Sequence, residues 1–333
     1  MTAASLKHPA SPGGANHSDP RQAPPELAAR HAIAHHYDLS NDFYALFLDP
    51  EMVYTCAWYR DPDANLAQAQ LDKLELICRK LDLRDGDRLL DIGCGWGSLA
   101  RYAARTRKVE VLGVTLSEQQ AVLASERIRA ESLEQTCRVE FRDYRSLGTE
   151  PKFNKIAAIG IIEHIGRANF RSYFRQVHGL LEDGGLFLNH GITRLRHWAP
   201  TPQWDFLLAH VFPGGDLTHI SHLTEEMEDA RFEILDVENL RAHYARTCAD
   251  WTQHLQAEEQ AAIALVGTRT YRTWLLYLAA SAVAFEEGSI FLHQSLARKN
   301  GERVLQPTNR ADLYANFPDR PDRPNPPSLR RAD

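Results

Sequence analysis

Short apolar runs alternate with amphipathic stretches along most of this chain. The apolar runs predict buried strands at 88–93, 110–115, 138–143, 155–160, 186–192 and 289–297. The spacing of apolar residues predicts helices over 66–82, from Ser98, from Ser117 (an N-cap, with Gln120 three residues later) and over about 168–181, and a further helix and strand within about 223–240. This alternation indicates an α/β fold, a mostly parallel, doubly wound sheet with helices on both faces. Ligands of such sheets bind beyond the carboxyl ends of the strands.

Two segments interrupt the alternation and predict an α-helical cover over the ligand-binding edge of the sheet. Residues 194–222 contain two tryptophans and three prolines, with an apolar helical stripe made of Trp204, Leu207, Leu208 and Val211. A long helical stretch then runs from about 249 to 286. We expect 194–222 and 241–286 to form the cover. Its large apolar residues, such as Trp274 and Phe285, suit a packed core and the wall of an apolar channel equally well.

The folded part is expected to span about 27–315. Residues 1–26 and the tail 316–333 are rich in proline and in small or polar residues, and both are predicted to be disordered. The N-terminal segment lacks the apolar region that a secretory signal needs, and no run of about 18 apolar residues could span a bilayer. We therefore expect a cytoplasmic protein.

A formal net charge of -6 argues against nucleic acid as a partner and gives no general attraction to anionic lipid. Membrane contact would therefore depend on apolar surface or on a local basic patch, and a homodimer is compatible with the sequence. The five cysteines are widely spaced and form no CxxC pair, which indicates reduced thiols. His31 and His35 share a helical face next to His36, but no carboxylate or cysteine lies at ligand spacing, so no metal site is predicted.

The segment LLDIGCGWG at 89–97 joins a predicted strand to a predicted helix. Its glycines permit a tight turn and a close approach of the backbone to a ligand. The spacing is GxGxG, not the GxGxxG of dinucleotide sites, and Asp91 stands two positions before the first glycine. An acidic group there suits a sulfonium with an amino-acid tail, so Asp91, Gly93 and Gly95 predict an S-adenosylmethionine site. An ordinary strand-loop-helix turn is the alternative interpretation.

Two later strand ends fit the adenosine part of such a site. The second strand ends at Thr115, where many methyltransferases place an acidic ribose ligand, and this departure weakens a generic assignment. Asp143 and Tyr144 follow the third strand and could accept from the adenine amino group and stack on its ring. An ordinary turn would also explain this pair.

Seven motifs in a fixed order extend these observations over nearly the whole folded part. They are HYDLSNDFYALFLDPEMVYTCAWY (36–59), LLDIGCGWGSLARYAA (89–104), GVTLSEQQ (113–120), IGIIEHIG (159–166), FLNHGI (187–192), FPGG (212–215) and LRAHYARTCADW (240–251). With these motifs the chain resembles the cyclopropane fatty acid synthase family, which includes the mycolic acid cyclopropane synthases. The resemblance implies a Rossmann-like class I methyltransferase fold and a lipid substrate, met at the membrane surface.

The resemblance also implies two groups of site residues. The positions that hold S-adenosylmethionine in the family correspond here to Tyr54, Thr55, Gly93, Gly95, Thr115, Gln120 and Tyr144. The positions that surround a catalytic bicarbonate ion correspond to Cys56, Gly160, Glu163, His190, Ile192 and Tyr244. All of these residue types are present, which favours an active enzyme over a non-catalytic lipid- or cofactor-binding relative.

Cyclopropanation of an alkene makes particular demands on such a site. An isolated alkene is a poor nucleophile, so a methyl donor must be held in line with it. The resulting carbocation must be kept from water and then lose a proton to a small base, and bicarbonate suits that role. Glu163 could accept its hydroxyl, while His190 and Tyr244 donate to its oxygens and Cys56 closes the pocket without acting as a nucleophile.

Other interpretations of these residues remain open. Taken alone, Glu163 and His190 could be a capping and surface pair, Cys56 a small core residue and Tyr244 an anchored surface tyrosine. Within the same fold, the enzyme could make a methyl-branched acyl chain or methylate a small amine. The cysteine at position 56 favours carbon chemistry.

Overall fold

A computed structural model describes residues 39–148, 152–199, 204–205, 209–211, 215–300 and 310–315. Several sequence predictions lie outside these residues. They concern the disorder of 1–26 and 316–333, the three histidines at 31, 35 and 36, and the stripe residues Leu207 and Leu208.

The described chain forms one seven-stranded sheet. Its strands are β1 (Arg88–Ile92), β2 (Glu110–Thr115), β3 (Cys137–Phe141), β4 (Phe153–Ile159), β5 (Leu181–Arg194), β6 (Phe232–Asn239) and β7 (Ile290–Lys299). Their order is β3-β2-β1-β4-β5-β7-β6. The first five strands pair in parallel, whereas β7 is antiparallel to both of its neighbours. The predicted α/β fold with a mostly parallel, doubly wound sheet is confirmed.

The strand order reverses between β1 and β4. From β1 the chain moves outward to β2 and β3, then crosses back to place β4 on the other side of β1. The loops that leave the two strands therefore diverge and open a crevice at the carboxyl edge of the sheet. The glycine-rich loop after β1 and the Gly160 turn after β4 border this crevice.

Ten α-helices surround the sheet in the described residues. They are α1 (Asn41–Ala45), α2 (Leu66–Lys80), α3 (Ser98–Arg107), α4 (Glu118–Ala130), α5 (Ile162–Ile165), α6 (Phe170–Leu180), α7 (Ile220–Asp229), α8 (Arg241–Ala257), α9 (Glu259–Glu287) and α10 (Ala311–Tyr314). Single 3₁₀ turns cover Tyr144–Ser146 and Arg167–Asn169. Ser117 caps α4 as predicted, because its hydroxyl accepts from the amide of Gln120. None of the described helices is both long enough and apolar enough to cross a bilayer.

The long helical stretch predicted from about 249 to 286 is two helices. The first, α8, already begins at Arg241, so Tyr244 lies in its first turn. The second, α9, is interrupted at Gly267, whose φ of 79° and ψ of 158° are not helical. A positive φ of this kind favours glycine, and it changes the direction of the helix.

An aromatic cluster joins α1 to α8 and α9. Phe43 and Tyr44 pack edge-to-face on Trp274, each with ring centroids 5.4 Å apart. The ring centroid of Trp251 of α8 lies 5.2 Å from that of Tyr54. Trp274 is therefore a core residue, whereas Phe285 is buried and also borders the cavity described below.

We expect Trp251→Ala to destabilise the fold by about 3–5 kcal/mol, because the substitution leaves a large cavity in this cluster. Trp251 is 1% exposed. Urea denaturation followed by circular dichroism measures the change in the free energy of unfolding. Leu276→Ala on the outer face of α9 is the control, with an expected change within about 0.5 kcal/mol. A similar loss in both variants would show that the cluster does not anchor α8 and α9.

Candidate active site

The loop after β1 folds tightly enough to form a ligand cradle. Gly93 and Gly95 have φ values of 70° and 54°, in the left-handed region that favours glycine. A Cβ added at Gly93 would lie 1.9 Å from Cδ1 of Ile161. The amides of Gly93 and Cys94 both donate to the carbonyl of Val114, at 2.8 and 3.0 Å. The loop is thus pinned to β2 and leaves its inner face to a ligand.

Two buried groups of opposite charge border this loop. Asp91 lines the cavity, and its Oδ2 atom has no hydrogen-bond partner among the described residues. Burial raises the pKa of Asp91 to about 7, although the charge of Lys73 acts in the opposite direction. Lys73 of α2 donates to Oγ1 of Thr55 at 3.0 Å, and burial lowers its pKa to about 8. No direct ion pair joins Asp91 and Lys73 within this part of the chain.

The sequence prediction missed Lys73. It lies on the same buried side of α2 as Gln70 and Lys80, and all three are at most 3% exposed. Their spacing of three and seven residues places them on one helical face. This pattern of polar residues on the buried face of a helix was the available signal for a functional role.

The side chains at the end of β2 and on α4 form a second part of the wall. Oγ1 of Thr115 donates to Oε1 of Gln120 at 2.8 Å, and both residues line the cavity. Tyr144 also lines it and packs edge-to-face on Tyr173 with ring centroids 5.6 Å apart. A flat apolar ring at this position suits an adenine.

Asp143 lies differently from the prediction. Its carboxylate accepts from the guanidinium of Arg145, with the closest nitrogen at 2.5 Å. It also accepts from the Arg145 amide at 2.9 Å, and Asp143 is not among the residues that line the cavity. Arg145 thus donates to the carboxylate that was expected to accept from the adenine amino group. The adenine contact of Asp143 stays a prediction.

A single cavity of about 510 Å³ extends from the glycine-rich loop to α8 and α9. Its wall includes eight of the nine predicted cofactor residues, namely Tyr54, Thr55, Asp91, Gly93, Gly95, Thr115, Gln120 and Tyr144. It also includes four of the six predicted catalytic residues, namely Gly160, Glu163, Ile192 and Tyr244. Cys56 and His190 are buried and are not part of the wall.

Glu163 lies in the first turn of α5, directly after β4. Its Oε1 atom accepts from the amide of Ile192 at 2.6 Å, which joins the ends of β4 and β5. Its Oε2 atom has no partner among the described residues. Burial raises the pKa of the Glu163 carboxyl to about 7, although the Ile192 amide opposes the shift. The group can therefore exchange a proton near neutral pH.

His190 lies on β5, and its carbonyl accepts from the amide of Gly160 at 2.8 Å. Its Nδ1 atom is 3.0 Å from Nε2 of Gln294, while its own Nε2 atom has no partner in the described part of the chain. Burial and the charges of Lys73 and Lys80 hold the pKa of His190 well below its usual range. The imidazole is neutral, so it can donate from only one nitrogen.

Cys56 and Tyr244 are both buried and uncharged. Burial raises the pKa of the Cys56 thiol well above its ordinary value, so it is not a thiolate nucleophile. Tyr244 stacks on Phe285 with ring centroids 4.4 Å apart. Burial raises the pKa of Tyr244, and smaller contributions come from neighbours that include Cys56 and Glu163. Tyr244 and Glu163 line the same cavity.

The five cysteines are all buried and free. Across the described ranges, no group of three or more histidine, cysteine or carboxylate side chains could hold a metal ion.

The sheet order, the glycine-rich loop and the acidic residue two positions before it define a class I S-adenosylmethionine-dependent methyltransferase. The sequence model of the mycolic acid cyclopropane synthetase family matches residues 26–295, and the chain belongs to that family. It is a methyltransferase, as the sequence predicted.

Individual relatives agree with this assignment. The chain is 44% identical over 310 residues to a probable fatty acid methyltransferase of Pseudomonas putida, covering 89% of this chain and 78% of the relative. It is 38% identical over 274 residues to the cyclopropane-fatty-acyl-phospholipid synthase of Escherichia coli, covering 81% and 69%. Some relatives are longer still, and the chain spans 62% of one of them.

A solved structure shows the same fold. The structure of a mycolic acid cyclopropane synthase complexed with SAH and CTAB superimposes with a TM-score of 0.77 at 33% identity. The match covers 81% of this chain and 98% of that protein.

Proposed function

We propose that this enzyme transfers the methyl group of S-adenosylmethionine to a carbon-carbon double bond of an unsaturated acyl chain in a phospholipid. Bicarbonate then assists loss of a proton, and a cyclopropane ring closes. One observation carries the proposal. A single, mostly apolar cavity connects the glycine-rich loop to Glu163 and Tyr244, and the buried Oε2 of Glu163 has no hydrogen-bond partner among the described residues.

The charges beside the glycine-rich loop fit the amino-acid tail of the cofactor. Asp91 would hold the ammonium group of that tail and Lys73 its carboxylate, which would satisfy two buried charges of opposite sign. Thr115 and Gln120 would contact the ribose, and Tyr144 would stack on the adenine. When bound, the sulfonium supplies an electrophilic methyl group.

The rest of the cavity fits an acyl chain better than a polar acceptor. Ile161, Ile192 and Leu217 line it together with the aromatic rings of Tyr277 and Phe285. This surface excludes water from a carbocation and gives an acyl chain an apolar environment. A small amine would find few polar partners along it.

The polar end of this apolar region fits a small anion. Glu163 would accept from a bicarbonate hydroxyl, and the neutral groups of His190 and Tyr244 would donate to its oxygens. Held there, bicarbonate would supply the base that takes the proton. The hydrogen bond from the Ile192 amide to Oε1 of Glu163 fixes the carboxylate and leaves Oε2 for the ligand.

The described parts of 194–222 and 241–286 would form the substrate cover. Trp204 and Leu217 from the first segment, and Tyr244 and Tyr277 from the second, line the cavity. We further propose that the enzyme is cytoplasmic and meets its lipid at the membrane surface. Whether it acts as a homodimer does not affect this arrangement.

Analysis of lipids from a host that expresses the chain tests the proposal. We expect unsaturated phospholipid acyl chains to gain one CH2 and lose the double bond, with cyclopropane ring signals in proton NMR. A host that expresses Glu163→Gln is the control. Products in which the added carbon is present and a double bond remains would contradict ring closure, and cofactor consumption with amines alone would contradict the lipid acceptor.

A methyl-branched acyl product is the second candidate. It is favoured by the 44% identity to a protein named a probable fatty acid methyltransferase. The first chemical step would be the same, but the proton would leave from a neighbouring carbon and an alkene would remain. The NMR spectrum of the isolated lipid separates the two outcomes.

A further inference from the structure

A row of polar side chains, two of them buried and one half-buried, crosses three neighbouring strands behind the cavity wall. His190 of β5 lies directly opposite Gln294 of β7, and Gln294 lies opposite Glu238 of β6. Residues opposite each other in a sheet share a face, so the three side chains project on the same side. Lys80 of α2 packs over this row, and its side chain is fully buried.

The donors and acceptors of this row fix the direction of its hydrogen bonds, which run from Lys80 through Gln294 to His190. The Lys80 ammonium has no acceptor capacity, so it donates to Oε1 of Gln294 at 2.7 Å and to the carboxylate of Glu238. The amide of Gln294 therefore turns its NH2 group toward His190, where Nδ1 lies 3.0 Å away. An NH2 group can only donate, so Nδ1 must accept and carries no proton.

The protonation of the other ring nitrogen of His190, Nε2, then follows by elimination. A neutral imidazole with an unprotonated Nδ1 carries its proton on Nε2. An imidazolium would direct an N–H at the NH2 group of Gln294, and the ammonium groups of Lys73 and Lys80 oppose the same charge. Asp236, 3.9 Å from Lys80, and Glu238 balance the lysine on the far side of the row.

We infer that Lys80 and Gln294 are positioning residues that hold His190 as the neutral tautomer with its proton on Nε2. His190 then serves as a fixed hydrogen-bond donor and is excluded as the base that removes the proton. This inference deepens the proposed function and rests on it for the role of the donor. The tautomer itself follows from the hydrogen bonds alone.

NMR of protein labelled with 15N in histidine tests the tautomer, with the His190 signals identified by their loss in His190→Gln. In the wild type we expect a protonated Nε2 and an unprotonated Nδ1 from about pH 6 to about pH 8, the range around the ordinary histidine pKa. In Gln294→Glu a carboxylate faces Nδ1, so the proton should move to Nδ1. Turnover should fall about 10- to 100-fold, as when a partner that orients a histidine is lost, with affinity for SAH unchanged.

Lys80 provides an independent test if Gln294→Glu does not fold. Lys80→Met removes the donor that fixes the amide, so both tautomers of His190 should be populated, and Lys80→Arg should restore the single tautomer. Thr193→Val is the matched control, because it removes the 2.8 Å bond between Thr193 and His293 on the same two strands. It should change the signals of His293 and leave those of His190 in place.

Two outcomes would overturn the inference. One is a wild-type His190 with its proton on Nδ1. The other is a proton that stays on Nε2 in both Gln294→Glu and Lys80→Met. A wild-type protein with the expected tautomer that forms no lipid product would instead contradict the proposed function and leave the tautomer assignment standing.

Discussion

Glu163→Gln is expected to lower turnover at least about 100-fold, since positioned acid-base groups contribute about 10²- to 10⁴-fold. The amide has nearly the same shape, and its oxygen can still accept from the Ile192 amide. It cannot carry the negative charge that accepts the hydroxyl of the bound anion. Isothermal titration with SAH should give a dissociation constant within about twofold of the wild type, since Glu163 is not expected to contact the cofactor.

The comparison of binding with turnover makes this test specific. Equal losses of turnover and SAH affinity would mean that Glu163 supports the cofactor instead of the base. Circular dichroism of the variant confirms that the sheet is intact. Glu163→Asp is a useful companion, because it keeps the charge and withdraws it from the cavity.

The pH dependence of the wild type follows from the same group. Its carboxyl has a pKa of about 7, and the charged form is the one that accepts. As pH falls below about 7 the carboxyl becomes protonated, so kcat/KM at constant bicarbonate should fall about tenfold per pH unit. Glu163→Gln should lack this dependence when S-adenosylmethionine is saturating, a condition that removes the contribution of Asp91, whose pKa burial also raises to about 7. A wild-type profile that is flat from pH 8 to about pH 5 would contradict the assignment.

Lys73→Met is expected to weaken binding of SAH about 10- to 100-fold, because a hydrogen bond to a charged group contributes about 1.5–3 kcal/mol. The methionine side chain fills a similar volume, so the packing of α2 should survive. Decarboxylated S-adenosylmethionine lacks the group that Lys73 would bind. The variant and the wild type should therefore bind this analogue equally well.

The matched control for Lys73 is Lys299→Met. Lys299 is also buried, but its ammonium donates to the carbonyl of Leu181 at 2.8 Å, at the opposite end of β5. Its loss should leave SAH binding unchanged. If Lys73→Met weakened binding of SAH and of the decarboxylated analogue by the same factor, the lysine would support the shape of the site and would not bind the carboxylate.

The central strands could be predicted because parallel strands covered on both faces are continuously apolar. The interval 110–115 matches β2, and the predicted helix over 66–82 ends within two residues of α2 at Lys80. The boundaries of helices that begin with polar residues were harder to predict. The start of α8 at Arg241 was missed because its first turn lacks a run of apolar residues.

The site was predicted in the same uneven way. Local motifs place the glycine-rich loop and Glu163 at strand ends, and the structure brings both to one cavity. The burial of Lys73, Lys80 and Gln294 depends on segments far apart in sequence, so no local pattern showed which partners they meet. Asp143 shows the opposite case, in which a local motif predicted a ligand contact. Its carboxylate forms an ion pair with Arg145 instead.

The position of β7 has a consequence for synthesis of the enzyme. Of the described strands, β7 is the last to leave the ribosome, yet it lies between β5 and β6, and β6 pairs with no other described strand. A nascent chain that stops before Ile290 therefore exposes an unpaired edge of β5, the kind of edge that invites aggregation. Gln294 must be synthesised before it can contact the imidazole of His190, so the tautomer inferred above is set only after β7 has been made.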